Sequence, residues 1–500
     1  MHNNGFIMEK SQIGIFISFA LYLIGMLAIG WYFYSRTKNL SDYILGGRKL
    51  NAWVTSLSAQ ASDMSGWLLL GLPGYAYLSG VESLWLLIGL LIGTYINWKF
   101  IAKRLRIYTE IAGNSLTIPD YFENRFKTKS KTIRVFSALF ILIFFLIYTS
   151  SGFVAGAKLF STVFDLPYFT ALLVGGIIIV SYTFLGGFQA VSWTDVYQGA
   201  IMFFAIIIVP VIAINNIGGI YVAIKKINES NPQLLNIFTT KEGNSITVLS
   251  IISLFGWGLG YFGQPHILAR FMAIKSSEQL SKARKIAMIW VIFSLLSAVI
   301  IGMVGYIIVN PHLSNANSEK VFIVLVKDLV TPLFSGVLLA AILAAIMSTA
   351  DSQLLVASSS LVEDIYKPFI RPKASQKELL WVSRGFVLFI ALIAIIIGLN
   401  PNSSVLDLVA YAWAGFGATF GPVIFLSLYW KNITEKGALA GMLTGGVTIL
   451  IWKQLTGGIF NLYEMVPGVI FATIVIIVVS KFTKVNNLKD VENEFKKIIG

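Results

Sequence analysis

A chain of 500 residues that is 56% hydrophobic and only 12% charged stands apart from soluble domains, where about a quarter of residues are charged. Its apolar runs recur from end to end, so it reads as a polytopic membrane protein with no sizeable soluble domain. The net charge of +14 would suit nucleic acid only on such a domain, the lack of cysteine excludes disulfides and thiolate metal sites, and His2, His266 and His312 are too scattered for a metal cluster.

Residues 1–10 are polar, and the first apolar run is long enough to span, so no cleavable signal peptide is expected. Thirteen spans of about 20 residues are expected. They lie roughly at 12–34, 53–76, 81–101, 135–160, 167–186, 195–216, 247–272, 285–309, 333–356, 380–399, 404–429, 436–456 and 465–482. The turn Gly186-Gly187-Phe188 separates the fifth from the sixth. Residues 217–246 form the longest loop, rich in Asn and Ser, and 319–330 read as a short amphipathic helix outside the membrane.

Orientation follows from Lys and Arg, which accumulate on the cytoplasmic side. With the amino terminus outside, the inside segments 35–50, 99–134, 270–285, 367–384, 431–436 and 481–497 hold 30 of the 38 basic residues. The carboxyl terminus is then inside. The basic surplus is a topology signal, and any contact of these loops with anionic lipid is generic.

The second span holds Ala61-Ser62-Asp63-Met64-Ser65-Gly66-Trp67, followed by Gly71, Pro73 and Gly74. An Asp at mid-membrane costs roughly 3 kcal/mol on insertion scales. Glycine and proline weaken the helix and free backbone carbonyls. Such a break is tolerated only where it faces protein or a wet cavity. Hydroxyls, a carboxylate and loose carbonyls at one depth suit a hard cation such as sodium. The plainer alternative is a hydrogen-bonded packing Asp in a kinked helix, but ionisable groups at this depth are functional by default.

The seventh span reads Gly256-Trp257-Gly258-Leu259-Gly260-Tyr261-Phe262-Gly263-Gln264-Pro265. Small residues for close helix packing explain one or two glycines better than four beside a proline. Both breaks lie about ten residues into their spans, or roughly 15 Å, which reaches the midplane of a core about 30 Å thick. Five spans separate the start of one from the start of the other, and an odd number inverts the second unit. Paired broken helices in inverted five-span halves point to a transporter with its site between the halves. The core is then ten helices, about 53–429, with 12–34 and 436–482 peripheral, all in one domain over 1–500.

The ninth span carries Ala345, Ser348, Thr349, Asp351 and Ser352. Ser348 and Thr349 follow Ala345 by three and four, so the three share a helix face. They could complete a cation shell with carbonyls of the second span, or serve only as a Ser/Thr packing contact.

These stretches resemble the sodium/solute symporter family, and within it the proline carriers. The resemblance lies in Leu45-Gly46-Gly47-Arg48, Ala59 to Trp67, Leu72-Pro73-Gly74, Tyr148-Thr149-Ser150-Ser151-Gly152, Gly186-Gly187-Phe188, Trp193-Thr194-Asp195, Trp257 to Tyr261, Gln264-Pro265-His266 and Met347 to Asp351. It implies an all-α, LeuT-type fold working by alternating access in a bacterial cytoplasmic membrane. It implies a co-transported sodium ion held by the carbonyls of Ala61, Met64 and Ala345 and the hydroxyls of Ser348 and Thr349. Asp63 would serve sodium affinity and Asp195 ion passage. Substrate contacts would come from Tyr148, Trp257, Tyr261 and Pro265, with Trp67 close by. Ordinary lipid or core packing is the alternative for each aromatic taken singly. L-Proline as substrate comes from the resemblance, since the residues alone imply a cation-coupled carrier of a small solute.

A channel would need a continuous polar lining, which the other spans do not offer. An enzyme is not expected, because Asp63, Asp195 and Asp351 lack an intramembrane His or Cys cluster. A sugar carrier should present many hydroxyl-binding side chains, whereas Trp257, Tyr261 and Pro265 suit a compact, partly apolar solute. Pantothenate, another amino acid or a short acid stays open as substrate. No partner beyond solute, sodium and lipid is expected.

Overall fold

Without water to serve backbone groups, an apolar stretch in a bilayer closes its own hydrogen bonds as helix. The structure is a computed structural model that describes residues 10–34, 40–185 and 187–499. Gly186 of the predicted turn therefore lies outside the described residues, as do residues 1–9 and residues 35–39 of the first inside segment. The elements are helical, apart from two isolated bridges, Leu50 to Ile274 and Thr239 to Ser245.

The long elements in chain order are α1 (Lys10–Tyr34), α2 (Ala52–Asp63), α3 (Leu72–Ser79), α4 (Leu84–Ile96), α5 (Thr132–Phe164), α6 (Tyr168–Leu185), α7 (Phe188–Ile217) and α8 (Val248–Gly256). They continue with α9 (Pro265–Ala273), α10 (Leu280–Ile308), α11 (Pro332–Ser360), α12 (Gln376–Ile397), α13 (Val405–Tyr429), α14 (Glu435–Trp452) and α15 (Met465–Phe482). Helix thus occupies each of the thirteen expected stretches. By length and apolarity, however, nine helical runs among the described residues can cross a membrane, with Tyr168–Ser181 and Val248–Gly263 as shorter apolar helices. Two of the four by which this falls short of thirteen have a cause in the breaks: the first leaves Ala52–Asp63 as a 12-residue piece and runs the rest of the second expected span on into the third as Trp67–Ile111, and the second leaves Val248–Gly256 at 9 residues. The chain is a multi-pass membrane protein.

Two expectations need correction. The 217–246 segment is not simply loop, since Ile220–Ser230 is a helix with Ala223 and Ile227 buried. The basic count assigned Arg270 to an inside loop, but Arg270 lies in α9 and is fully buried. The 319–330 helix is present as Val321–Leu329. A closing helix, Leu488–Ile499, was not anticipated.

Each broken helix is held by a glycine-bearing neighbour. A Cβ on Gly93 of α4 would come within 2.2 Å of the Gly258 carbonyl, and one on Gly302 of α10 within 2.3 Å of the Pro73 carbonyl. Only glycine permits such backbone contact. Thus α4 grips the second break and α10 grips α3, the second piece of the first broken helix, a reciprocity that fits two similar halves. On one face the ends of the two broken helices are also joined directly, since Leu50 N–H donates to the Ala273 carbonyl (3.2 Å) and Lys275 N–H to the Leu50 carbonyl (2.8 Å). On the opposite face Glu319 accepts from Ser404 Oγ and from the N–H groups of Val405 and Leu406, each at 3.0 Å. A carboxylate there satisfies unpaired donors and complements the dipole of α13. Lys158 of α5 pairs with the same carboxylate at 2.5 Å.

Candidate functional site

Helix α2 begins with the Asn51 side chain accepting from Val54 N–H at 3.0 Å. It ends at Met64, whose φ of −84° and ψ of 63° are not helical. Helical backbone resumes with a π-turn, Trp67–Gly71. The carbonyls near the break lose their in-helix donors and turn to side chains. Ala61 O accepts from Ser348 Oγ at 2.7 Å and from Thr349 Oγ1 at 3.4 Å. Ser348 Oγ is also 3.2 Å from Ala345 O. Two hydroxyls and two carbonyls from α2 and α11 therefore meet as the helix faces predicted, with Met64 three residues along at the break. This all-oxygen set has the chemistry of a hard-cation site.

Two residues further on, the Asp63 carbonyl accepts from Tyr148 Oη and Trp67 Nε1, both at 3.3 Å. Its carboxylate Oδ2 accepts from Tyr261 Oη at 3.0 Å. The other oxygen, Oδ1, is buried with no hydrogen-bond partner. Trp257 lies beside Trp67, ring centroids 6.4 Å apart. Three of the five expected substrate residues thus bond to Asp63, and Trp257 joins them through the Trp67 ring. Pro265 does not join them. It starts α9 and lines a cavity of about 20 Å³ with Ile44, Thr117 and Met272.

The second break is a tight 3-10 segment, Trp257–Gly263, pinned by α13. Trp413 Nε1 donates to the Trp257 carbonyl at 2.8 Å, and the Trp413 ring meets Tyr261 edge-on with centroids 5.0 Å apart. Gln264 Nε2 donates to Gly260 O at 3.0 Å. Trp413 and Gln264 hold the expected aromatics in place, and the sequence reading assigned neither a role.

Asp195 is deeper in α7 than its predicted place at the start of a span. Its Oδ2 accepts from Ser58 Oγ at 2.6 Å and from Arg270 Nη2 at 3.2 Å, with both ions fully buried. Arg270 also donates to Ser58 Oγ (3.1 Å), to His266 O (2.9 Å) and to Ser352 Oγ (2.5 Å). Asp351 bonds Thr183 Oγ1. Arg270, like Trp413 and Gln264, has no role in the expectations from sequence. The signal was its place four after His266 on an apolar helix that begins at a break.

The fold and these two adjoining clusters are those of a membrane carrier built on broken helices. Searched against known proteins, residues 43–445 match the sequence model of the sodium:solute symporter family. The chain is 51% identical over 473 residues to the "Sodium/proline symporter" of Escherichia coli strain K12, covering 94% of this chain and 93% of that one. It is 49% identical over 477 residues to the "Osmoregulated proline transporter OpuE" of Bacillus subtilis strain 168, covering 95% and 96%. Among solved structures it is similar to a Na+-coupled sialic acid symporter in a substrate-bound outward-open state, with a TM-score of 0.76, 18% identity and coverage of 94% and 98%. The chain belongs to the sodium:solute symporter family and has its all-helical, LeuT-type fold.

Proposed function

We propose that this chain carries L-proline into the bacterial cytoplasm together with sodium, by alternating access. One observation carries the reading beyond the names of its relatives. The carbonyl of Ala61 takes the Ser348 and Thr349 hydroxyls, and that of Asp63, two residues on, takes Tyr148 and Trp67. These contacts support an ion side and a solute side at carbonyls two residues apart on one broken helix.

In this reading sodium is bound by the carbonyls of Ala61, Met64 and Ala345 with the hydroxyls of Ser348 and Thr349. L-Proline lies between the breaks. Its carboxylate meets a half-helix N-terminus, and its ring and ammonium lie against Trp257 and Tyr261. Tyr148 and Trp67 close the other side, and Pro265 shapes the second half-helix. Asp195, with Arg270, serves ion passage. Sodium sets the broken segment in its solute-ready shape. A coupling of about 1–3 kcal/mol gives a 5- to 150-fold change in affinity, and proline must tighten sodium by the same factor. The ten helices over about 53–429 form the moving core, with 12–34 and 436–482 peripheral.

The test is uptake of radiolabelled L-proline into proteoliposomes, expected to require an inward sodium gradient. Trp257→Ala or Tyr261→Ala should weaken equilibrium proline binding strongly and spare sodium binding without proline. Competition by glucose, pantothenate or another amino acid at comparable concentration would reassign the substrate.

The proposed orientation places the amino terminus outside and the carboxyl terminus inside. Because the chain has no cysteine, Ser130→Cys is a clean reporter on an exposed turn. It should react with an impermeant maleimide only after cells are opened. Labelling in intact cells would invert the topology.

A further inference from the structure

A cavity of about 420 Å³ opens on the face that bears Asp407 and the 453–464 connection, and Trp257 and Tyr463 are in its wall. Tyr463 belongs to the link between α14 and α15, outside the ten-helix core. Its ring stacks on Trp257, with centroids 5.5 Å apart and planes 21° from parallel. Its hydroxyl donates to the Ala410 carbonyl of α13 at 2.6 Å, and its N–H donates to Ser253 Oγ of α8 at 3.0 Å. Trp257 therefore has two aromatic neighbours of different origin, Trp67 from the first break and Tyr463 from the peripheral hairpin.

An indole can rotate, and stacking on a ring that is itself fixed removes that freedom before the solute arrives. Tyr463 is fixed at both ends by hydrogen bonds to the two elements that flank the break. We infer that Tyr463 is a positioning residue for the solute site: it sets the Trp257 indole from the mouth of the cavity, and the peripheral hairpin is thereby part of the binding site. This rests on the proposed role of Trp257 in solute contact.

The test is equilibrium binding and initial-rate uptake by the full-length protein in proteoliposomes. Tyr463→Ala should weaken proline by about 2- to 12-fold, the worth of one aromatic pair. The loss should appear in KM, with sodium binding in proline's absence unchanged. Tyr463→Phe keeps the ring and should keep most of the affinity. Tyr463→Leu keeps bulk without a ring and should behave as the Ala variant does. In a Trp257→Leu background the Tyr463→Ala change should add nothing, because partners in contact are not additive. A purely structural role would lower sodium binding as well and would add fully to Trp257→Leu. Unchanged proline affinity in both Tyr463→Ala and Tyr463→Leu would overturn the inference. If the wild type carries a different solute, the substrate reading fails, and the same comparison with that solute decides the role of Tyr463.

Discussion

Ser348→Ala combined with Thr349→Ala should reduce uptake to its sodium-independent background. Both hydroxyls are buried and reach the Ala61 carbonyl from α11. Alanine leaves no oxygen in either place, and the closed packing leaves little room for water to substitute. A hydrogen-bonding group acting on a charge contributes about 1.5–3 kcal/mol. Each single substitution should therefore raise the half-saturating sodium concentration about tenfold or more, and the pair about a hundredfold or more. Asp63→Asn should raise it too, since it removes a negative charge two residues from Ala61 while keeping an acceptor for Tyr261. The measurement is proline uptake against external sodium, with membrane insertion checked by immunoblot. Wild-type sodium dependence in the double variant would remove the ion site from this location.

Arg270→Met should be the most destabilising single change near the site. It strips the buried Asp195 carboxylate of its cation and takes donors from Ser58 and Ser352. Breaking a buried pair from one side costs about 3–5 kcal/mol, because the remaining ion stays uncompensated. Denaturant unfolding in detergent should show the loss. Adding Asp195→Leu should restore much of it, since a well-packed apolar pair can match a buried ion pair. Transport should stay absent in the double variant if Asp195 serves ion passage. An unfolding midpoint for Arg270→Met equal to that of the wild type would show that the pair does not hold α7 to α9.

The proposed ion site was legible because its determinants are local. Ala345, Ser348 and Thr349 share a helix face by spacing alone, and Gly66, Gly71 and Pro73 mark the break that frees carbonyls. Trp257 and Tyr261 were legible because four glycines cannot be a good helix. Pro265 was placed with them because it is adjacent in sequence. The turn into α9 carries it instead to the cavity with Thr117 and Met272.

The amino-acid sequence by itself determined the class of protein, the approximate places of its helices and both breaks. Those features depend on apolar length, on helix-breaking residues and on charge, all of which are read within a few turns of the chain. Tertiary structure alone decided the partners. Asp195 meets Arg270 across 75 residues, Trp413 meets Trp257 across 156, and Ser348 meets Ala61 across 287. No local rule fixes such pairs, because they depend on how close neighbouring helices approach: a Cβ on Gly260 would come within 2.0 Å of Trp413 Nε1, and one on Gly199 of α7 within 3.3 Å of the Ala61 side chain. The same reason hid Arg270. A basic residue near a span end reads as a loop charge until the fold shows a buried carboxylate waiting for it.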